Sequence, residues 1–272
     1  MSPGRVTAMI SLPYLWLERV IGPGFDEVAA VHAVLRTRGP GVMVDVGAHH
    51  GQSLRPFAED GWQVFAFEPD PVNRAVLEHR VAQRANVTVD GRAIASRDGE
   101  TVMLYTSEVS SGISTLTPFH PSHRAAVQVG TVRLDTYLAP VDDVTVLKTD
   151  AEGHDFPILQ TFPWWRLHPR AVICEFEDRR TAGLGYEFGD MAEFLAGQGY
   201  VVYVSEWYPV VEYGRVHRWR SLRQFPTALA DVNAWGNLLA VDPVDSASIL
   251  RQAAWPRRLR MRGVRLIKLL RR

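Results

Sequence analysis

Val42-Met43-Val44-Asp45-Val46-Gly47-Ala48-His49-His50-Gly51 is the stretch that decides the fold. Its first five residues, apolar but for Asp45, read as a strand. A polar, glycine-bounded turn then leads into a helical segment from Gln52 to Glu59. Gly47 and Gly51 leave side chains off a turn where backbone comes close to a ligand. Strand–turn–helix units of this kind also hold NAD or FAD, or serve as plain turns, so the meaning of this one depends on the residues that follow.

The pattern repeats at once. Val64-Phe65-Ala66-Phe67 is a second apolar run, closed by Glu68-Pro69-Asp70, and Pro71 at a first helical position opens a helix over 71–84. Two strand–helix units in succession imply an α/β protein with a parallel sheet and helices on both faces. Glu68 falls at the carboxyl end of the second strand, where an acidic side chain can accept hydrogen bonds from both hydroxyls of a ribose. NAD sites use the same acidic position, but their fingerprint is G-x-G-x-x-G and position 49 here is His. Asp45 would repel a pyrophosphate and suits a bound ammonium group, so an adenosine cofactor without phosphate fits this loop better.

Further along, Val87-Thr88-Val89 is a third strand that leads to Arg92-Ala93-Ile94-Ala95. Asp98-Gly99 is a hairpin turn signal before Thr101–Tyr105. The polar stretch from Thr106 to Val129 reads as a long surface loop, a kind that is usually functional or mobile. Regular structure resumes at Val132–Leu138, and a fourth strand covers Val144–Thr149. A helix from Asp155-Phe156-Pro157 follows, then a fifth strand Ala171–Phe176, a helix around Met191–Ala196, and a sixth strand Tyr200–Val204. Leu238–Val241 is the seventh strand. Trp207, Tyr208, Tyr213 and Trp219 read as packing against the sheet.

Composition excludes several classes. A hydrophobic share of 46% with 22% charged residues is that of a soluble globular chain. The single Cys174 rules out an internal disulfide and fits a reducing cytoplasm. The apolar segment Met9–Leu17 is too short to span a bilayer and reads as a helix packed on the body. The 30 cations and 30 acids balance only because residues 251–272 hold nine Lys and Arg and no acid. The rest of the chain is acidic, a poor surface for nucleic acid. In the tail, Leu259, Leu266, Ile267 and Leu270 fall near one helical face among the cations, the pattern of a helix on an anionic membrane; docking on the acidic body is the competing reading. The expected organisation is an N-terminal helical cap over 1–41, a main domain over 42–245 and a basic amphipathic tail over 246–272.

At Leu147-Lys148-Thr149-Asp150-Ala151-Glu152-Gly153-His154-Asp155 the chain resembles the FkbM family of S-adenosylmethionine-dependent methyltransferases, whose hallmark is Lys-x-Asp-x-Glu-Gly after the fourth strand. The likeness extends back through Arg133–Leu138, Ser114-Thr115-Leu116, Ala93-Ile94-Ala95-Ser96, Phe67-Glu68-Pro69 and Asp45–Gly51, and forward to Glu175. It departs from the family at His49, commonly Asn, and at Ala151, usually a larger aliphatic. The resemblance implies a Rossmann-like class I methyltransferase fold with a seven-stranded, mostly parallel sheet. It also implies O-methylation of sugars or secondary metabolites, with S-adenosyl-L-methionine held by Asp45, Gly47, Ala48, His49, Gly51, Glu68, Pro69 and Ala93. The motif resembles that of a metal-independent family, so no metal is expected, with a divalent ion held by the Asp150, Glu152 and His154 cluster as the alternative.

By the period-two rule Val144, Val146, Lys148 and Asp150 share one side of the fourth strand, and a Lys in a buried strand requires a partner. Glu175, at a similar height on the next strand, is the expected one. Asp150, Glu152 and His154 lie at the carboxyl edge of the sheet, where open α/β folds bind ligands. Methyl transfer to an alcohol requires a base, and Asp150 and His154 are the candidates, with Asp155 capping the following helix. The alternatives are an NAD-dependent oxidoreductase, a non-catalytic adaptor working through the basic tail, and, less well supported, an RNA methyltransferase.

Overall fold

A computed structural model describes residues 24–213 and 217–252. The Met9–Leu17 segment and the tail beyond residue 252 lie outside these residues. In chain order the strands are β1 (Val42–Val46), β2 (Gln63–Phe67), β3 (Val87–Asp90), β4 (Ala93–Ile94), β5 (Thr101–Ser107), β6 (His123–Val132), β7 (Val146–Thr149), β8 (Ala171–Phe176), β9 (Val201–Trp207), β10 (Trp219–Gln224) and β11 (Trp235–Val241). The main sheet has the order β10-β9-β11-β8-β7-β1-β2-β3. Strands β3, β2, β1, β7 and β8 are parallel neighbours; β11 lies antiparallel between β8 and β9, and β10 closes the edge antiparallel to β9.

The sheet therefore has eight strands where the sequence predicts seven. The addition is β10, Trp219-Arg220-Ser221-Leu222-Arg223-Gln224, whose arginines hide it from a reading based on apolar runs. Charge of this kind on an edge strand also discourages pairing with another chain.

Helices cover both faces. Strands with both faces buried have near-continuous apolar sequences, and every residue of β8 is buried. Met43, Val64 and Val146 pack on one face with Val31 and Leu35 of α1 (Glu27–Leu35) and Phe57 of α2 (Arg55–Glu59). Val44, Val46 and Leu147 pack on the other, with Leu134 of α4 (Leu134–Tyr137), Leu159 of α5 (Asp155–Thr161) and Leu195 of α7 (Phe188–Gly197). Helix α3 (Pro71–Val81) opens at its Pro as expected and ends three residues early.

The long polar stretch is only partly a loop. Residues from His123 onward form β6, which pairs antiparallel with β5 and parallel with β4 in a separate three-stranded sheet. The connecting loop is residues 108–122. Arg124 to Gln128 face water for much of the strand, which gives it the composition of a loop. Of the aromatic residues read as packing, Trp219 is buried: its ring lies 5.8 Å from Phe25 and its Nε1 donates to Ser205 Oγ at 3.0 Å. Tyr208 is more exposed, with Arg218 and Arg220 over its ring.

Candidate active site

At the carboxyl ends of β1, β2 and β7 the structure encloses a cavity of about 260 Å³. Its floor is the turn after β1. Gly47 has φ 73°, and a Cβ there would lie 1.9 Å from the carbonyl oxygen of Asp150, so glycine is required by the close approach of the two strand ends. Gly51, with φ 78°, packs against Leu77, whose Cδ1 a Cβ would meet at 2.7 Å; its role is to seat the turn on α3. His49 and Glu152 are the two non-glycine positions with left-handed backbone among the described residues, and both line this cavity. Such backbone is unfavourable for residues with a Cβ and persists where its surroundings enforce it.

Glu68 stands at the end of β2 with its carboxylate against the turn. Oε2 accepts from the backbone N–H of His49 at 2.7 Å and Oε1 from that of Asp70 at 3.0 Å. A carboxylate offers about four lone-pair positions, so both oxygens retain capacity for ligand hydroxyls. Burial raises this carboxyl to about 7, opposed by the two backbone hydrogen bonds. Ala93, Ile94, Leu104 and Leu116 give the same cavity an apolar wall suited to a purine, and Ala48 and Pro69 also line it. An acidic group for ribose hydroxyls, an apolar slot and a glycine turn together fit the adenosine part of S-adenosylmethionine.

Asp45 lies beneath the turn rather than in the cavity. It is fully buried, paired with Lys148 Nζ at 3.2 Å, and accepts from Ser53 Oγ at 2.5 Å. Burial raises its carboxyl, with Lys148 opposing. The Asp45 carboxylate, expected to face a ligand ammonium, thus has Lys148 and Ser53 as its partners in this structure. Lys148 also lies 3.6 Å from Asp150 and donates to the Gly47 carbonyl at 3.4 Å.

The expected Lys148–Glu175 pair is not formed. Lys148 is level with Asp45 on one side and with Ile173 on the other, which places Glu175 two residues beyond it along β8. Glu175 instead meets Arg180 of α6 (Asp178–Thr181), Nη1 to Oε2 at 3.3 Å, and lies behind Glu152 rather than in the cavity wall. Nothing in the sequence marks Arg180 beyond its place after an acidic strand end, Glu175-Phe176-Glu177.

Asp150, Glu152 and His154 all reach the cavity. His154 immediately precedes α5, in the cap position, but its side chain does not cap the helix; Nε2 meets Thr117 Oγ1 at 3.0 Å. Burial lowers its imidazole, favouring the neutral form. Asp155, expected as the helix cap, is instead the first helical residue and reaches back to accept from the Ala151 N–H at 3.2 Å.

The loop 108–122 bridges the cavity, a contribution the sequence does not announce beyond the resemblance at Ser114-Thr115-Leu116. On the β2 side His49 Nε2 meets Ser111 Oγ at 2.9 Å, Asn73 Nδ2 donates to the Ser111 carbonyl at 2.9 Å, and Ser114 Oγ donates to Asp70 Oδ2 at 2.8 Å. On the β7 side Thr115 Oγ1 donates to the Glu152 carbonyl at 3.1 Å, and Thr117 meets His154 as described. Buried His123 supports the loop from below through Nε2 to the Ile113 carbonyl at 2.9 Å.

A family model, the methyltransferase FkbM domain, matches residues 45–202, more than half of the chain. No curated protein matches the sequence. Among solved structures, a precorrin-6y C5,15-methyltransferase from Geobacter metallireducens GS-15 is similar at 15% identity and TM-score 0.43, over 79% of this chain and 87% of that one. An rRNA methylase from Streptococcus thermophilus is similar at 11% identity and TM-score 0.42, over 79% and 93%. A SAM-dependent methyltransferase from Agrobacterium tumefaciens is similar at 9% identity and TM-score 0.44, over 79% and 60%. The match of residues 45–202 carries the assignment: the chain belongs to the FkbM methyltransferase family and is an S-adenosylmethionine-dependent methyltransferase.

Proposed function

We propose that the enzyme transfers the methyl group to a hydroxyl of a small molecule or glycan: a sugar, a glycolipid or a secondary metabolite. The observation that carries this reading is the mouth of the cavity, where Asp150, Glu152 and His154 present acceptor atoms beside the cofactor floor. Hydroxyl groups are donors that such a rim can hold and orient. A nucleic-acid acceptor would bring phosphates to a body rich in acids.

When bound, S-adenosylmethionine supplies an electrophilic methyl group on a positive sulfur. Glu68 would hold its ribose, and Gly47 to His49 would face its amino-acid end. Asp150, fixed by Lys148, and His154, fixed by Thr117, align the acceptor oxygen, and correct alignment is itself a large part of such a reaction. Lys148 acts through Asp45 and Asp150 as a positioning residue.

The compartment that suits this reading is the cytoplasm, with residues 251–272 resting on an anionic inner membrane surface. Among the described residues no helix is long and apolar enough to cross a membrane. The test of the acceptor is incubation with isotopically labelled methyl donor and a panel of sugars, glycolipids and polyketide alcohols, read by mass spectrometry. Label on nitrogen or carbon, with none on oxygen, would overturn the hydroxyl reading.

A further inference from the structure

Three carboxylates converge on one guanidinium behind the cavity. Arg180 pairs with Glu177 through Nε at 2.6 Å, with Glu175 through Nη1 at 3.3 Å, and with Glu152 through the same Nη1. Its Nη2 donates to the Tyr213 hydroxyl at 3.2 Å and its Cζ lies 4.2 Å from the centre of the Phe119 ring, in a side chain only 6% exposed.

Further acids face the same group. Carboxylate oxygens of Asp150, Glu152 and Glu175 lie within 4.8 Å of one another, and Asp155 adds its field from α5. The other cation nearby, Lys148, is committed to Asp45 and Asp150. Acids thus outnumber cations in a place with little water, and like charges in such a setting do not all ionise. Burial is the main cause that raises the Glu152 and Glu175 carboxyls, and neighbouring acids add to it against Arg180.

Of Glu152 and Glu175, Glu152 is the one that lines the cavity. Its left-handed backbone (φ 53°) is followed by Gly153 at φ 100°, and Thr115 holds its carbonyl. Each candidate proton acceptor has a partner: Asp150 lies beside Lys148, His154 Nε2 meets Thr117, and Glu152 is held by Arg180; what sets Glu152 apart is a second carboxylate, Glu175, on the same Nη1.

We propose that Glu152 and Glu175 share one proton in the free protein, that the pair gives it up when a cation occupies the cavity, and that ionised Glu152 then takes the proton of the acceptor. The last step rests on the hydroxyl reading above. In it the acceptor oxygen forms its bond to carbon as the sulfur–carbon bond breaks, the bonding pair stays on sulfur, and the hydroxyl proton goes to Glu152. The shared-proton state is thereby restored beside a neutral product, which readies the pair for the next donor. A carboxylate of raised proton affinity is also a stronger base than an ordinary one, provided it is ionised when the acceptor arrives.

Two measurements test this without any acceptor. Infrared spectra of the free protein at a pH of about 6, where an ordinary glutamic acid is ionised, should show a protonated carboxyl component that is lost in Glu175→Gln and in Glu152→Gln, while that of the raised Glu68 carboxyl stays. Calorimetry in buffers of different ionisation heat should show S-adenosylmethionine releasing more protons on binding than S-adenosylhomocysteine, which lacks the positive sulfur. That difference should disappear in Glu175→Gln, a residue outside the cavity wall, with both ligands still bound. A protonated carboxyl signal unchanged in both variants, equal proton release by the two ligands, or a proton-release difference unchanged in both variants would each overturn the proposal. Transfer to an amine or carbon acceptor would overturn the hydroxyl reading while leaving the proton difference in place, so the two failures are distinguishable.

Discussion

Asp45 and Lys148 are in-register neighbours on adjacent parallel strands, side chains on one face, joined at 3.2 Å beneath the cofactor turn. A buried pair of this kind is costly to break on one side, because the remaining charge has no water to turn to. Lys148→Met should destabilise the protein by about 3–5 kcal/mol, read by denaturant unfolding. The Asp45→Asn, Lys148→Met double variant should recover much of the loss, and strict additivity of the two changes would show that the pair is not coupled.

Glu68→Ala should weaken both S-adenosylmethionine and its demethylated product by about 1–3 kcal/mol, the worth of hydrogen bonds to a charged acceptor. The native affinity should depend on pH. Because the carboxyl is raised to about 7, the ionised form that accepts from ribose is complete above that value and lost below it. Binding of S-adenosylhomocysteine, which leaves the proton of the Glu152 and Glu175 pair in place, should therefore weaken as pH falls through about 7 in the native protein but not in Glu68→Ala. For folding the sign is opposite: the folded state holds this proton more tightly than the unfolded chain, so Glu68 costs stability above its raised value and less in acid. Titration calorimetry across pH checks the first, thermal melting the second.

Asp150→Asn and His154→Ala should each lower turnover on the order of 10²-fold through misplacement of the acceptor, with donor affinity nearly intact. Single-turnover kinetics paired with calorimetry separates these effects. Loss of donor binding in Asp150→Asn would instead make Asp150 a cofactor ligand.

Removal of residues 251–272 should abolish salt-sensitive sedimentation with anionic vesicles, each cation near the surface contributing about 1 kcal/mol. Equal binding by the full and shortened chains would remove the membrane from the account.

Much of the floor of this site was legible in the sequence because its causes are local. A glycine between a strand and a helix, and an acid at the next strand end, are properties of a few consecutive residues. What the sequence concealed depends on partners far along the chain. Lys148 was read as needing an acid, but the choice of Asp45 over Glu175 follows from strand register, which no single segment carries. Arg180 gains its importance only when α6 brings it against Glu152, 28 residues earlier. Strands β6 and β10 do not show as apolar runs because each carries polar, partly exposed residues along much of its length.

The bridging loop has a consequence for speed. Latched to Asp70 and Asn73 on one bank and to Glu152 and His154 on the other, it is expected to slow the departure of spent cofactor, because a path beneath it opens only when side-chain bonds on at least one bank part. Egress of this kind commonly sets the pace of an enzyme whose chemistry is fast. Ser114→Ala, which removes one latch, should shorten the residence time of S-adenosylhomocysteine in stopped-flow displacement and raise the turnover ceiling in parallel. A residence time unchanged by that substitution would mean the exit lies elsewhere.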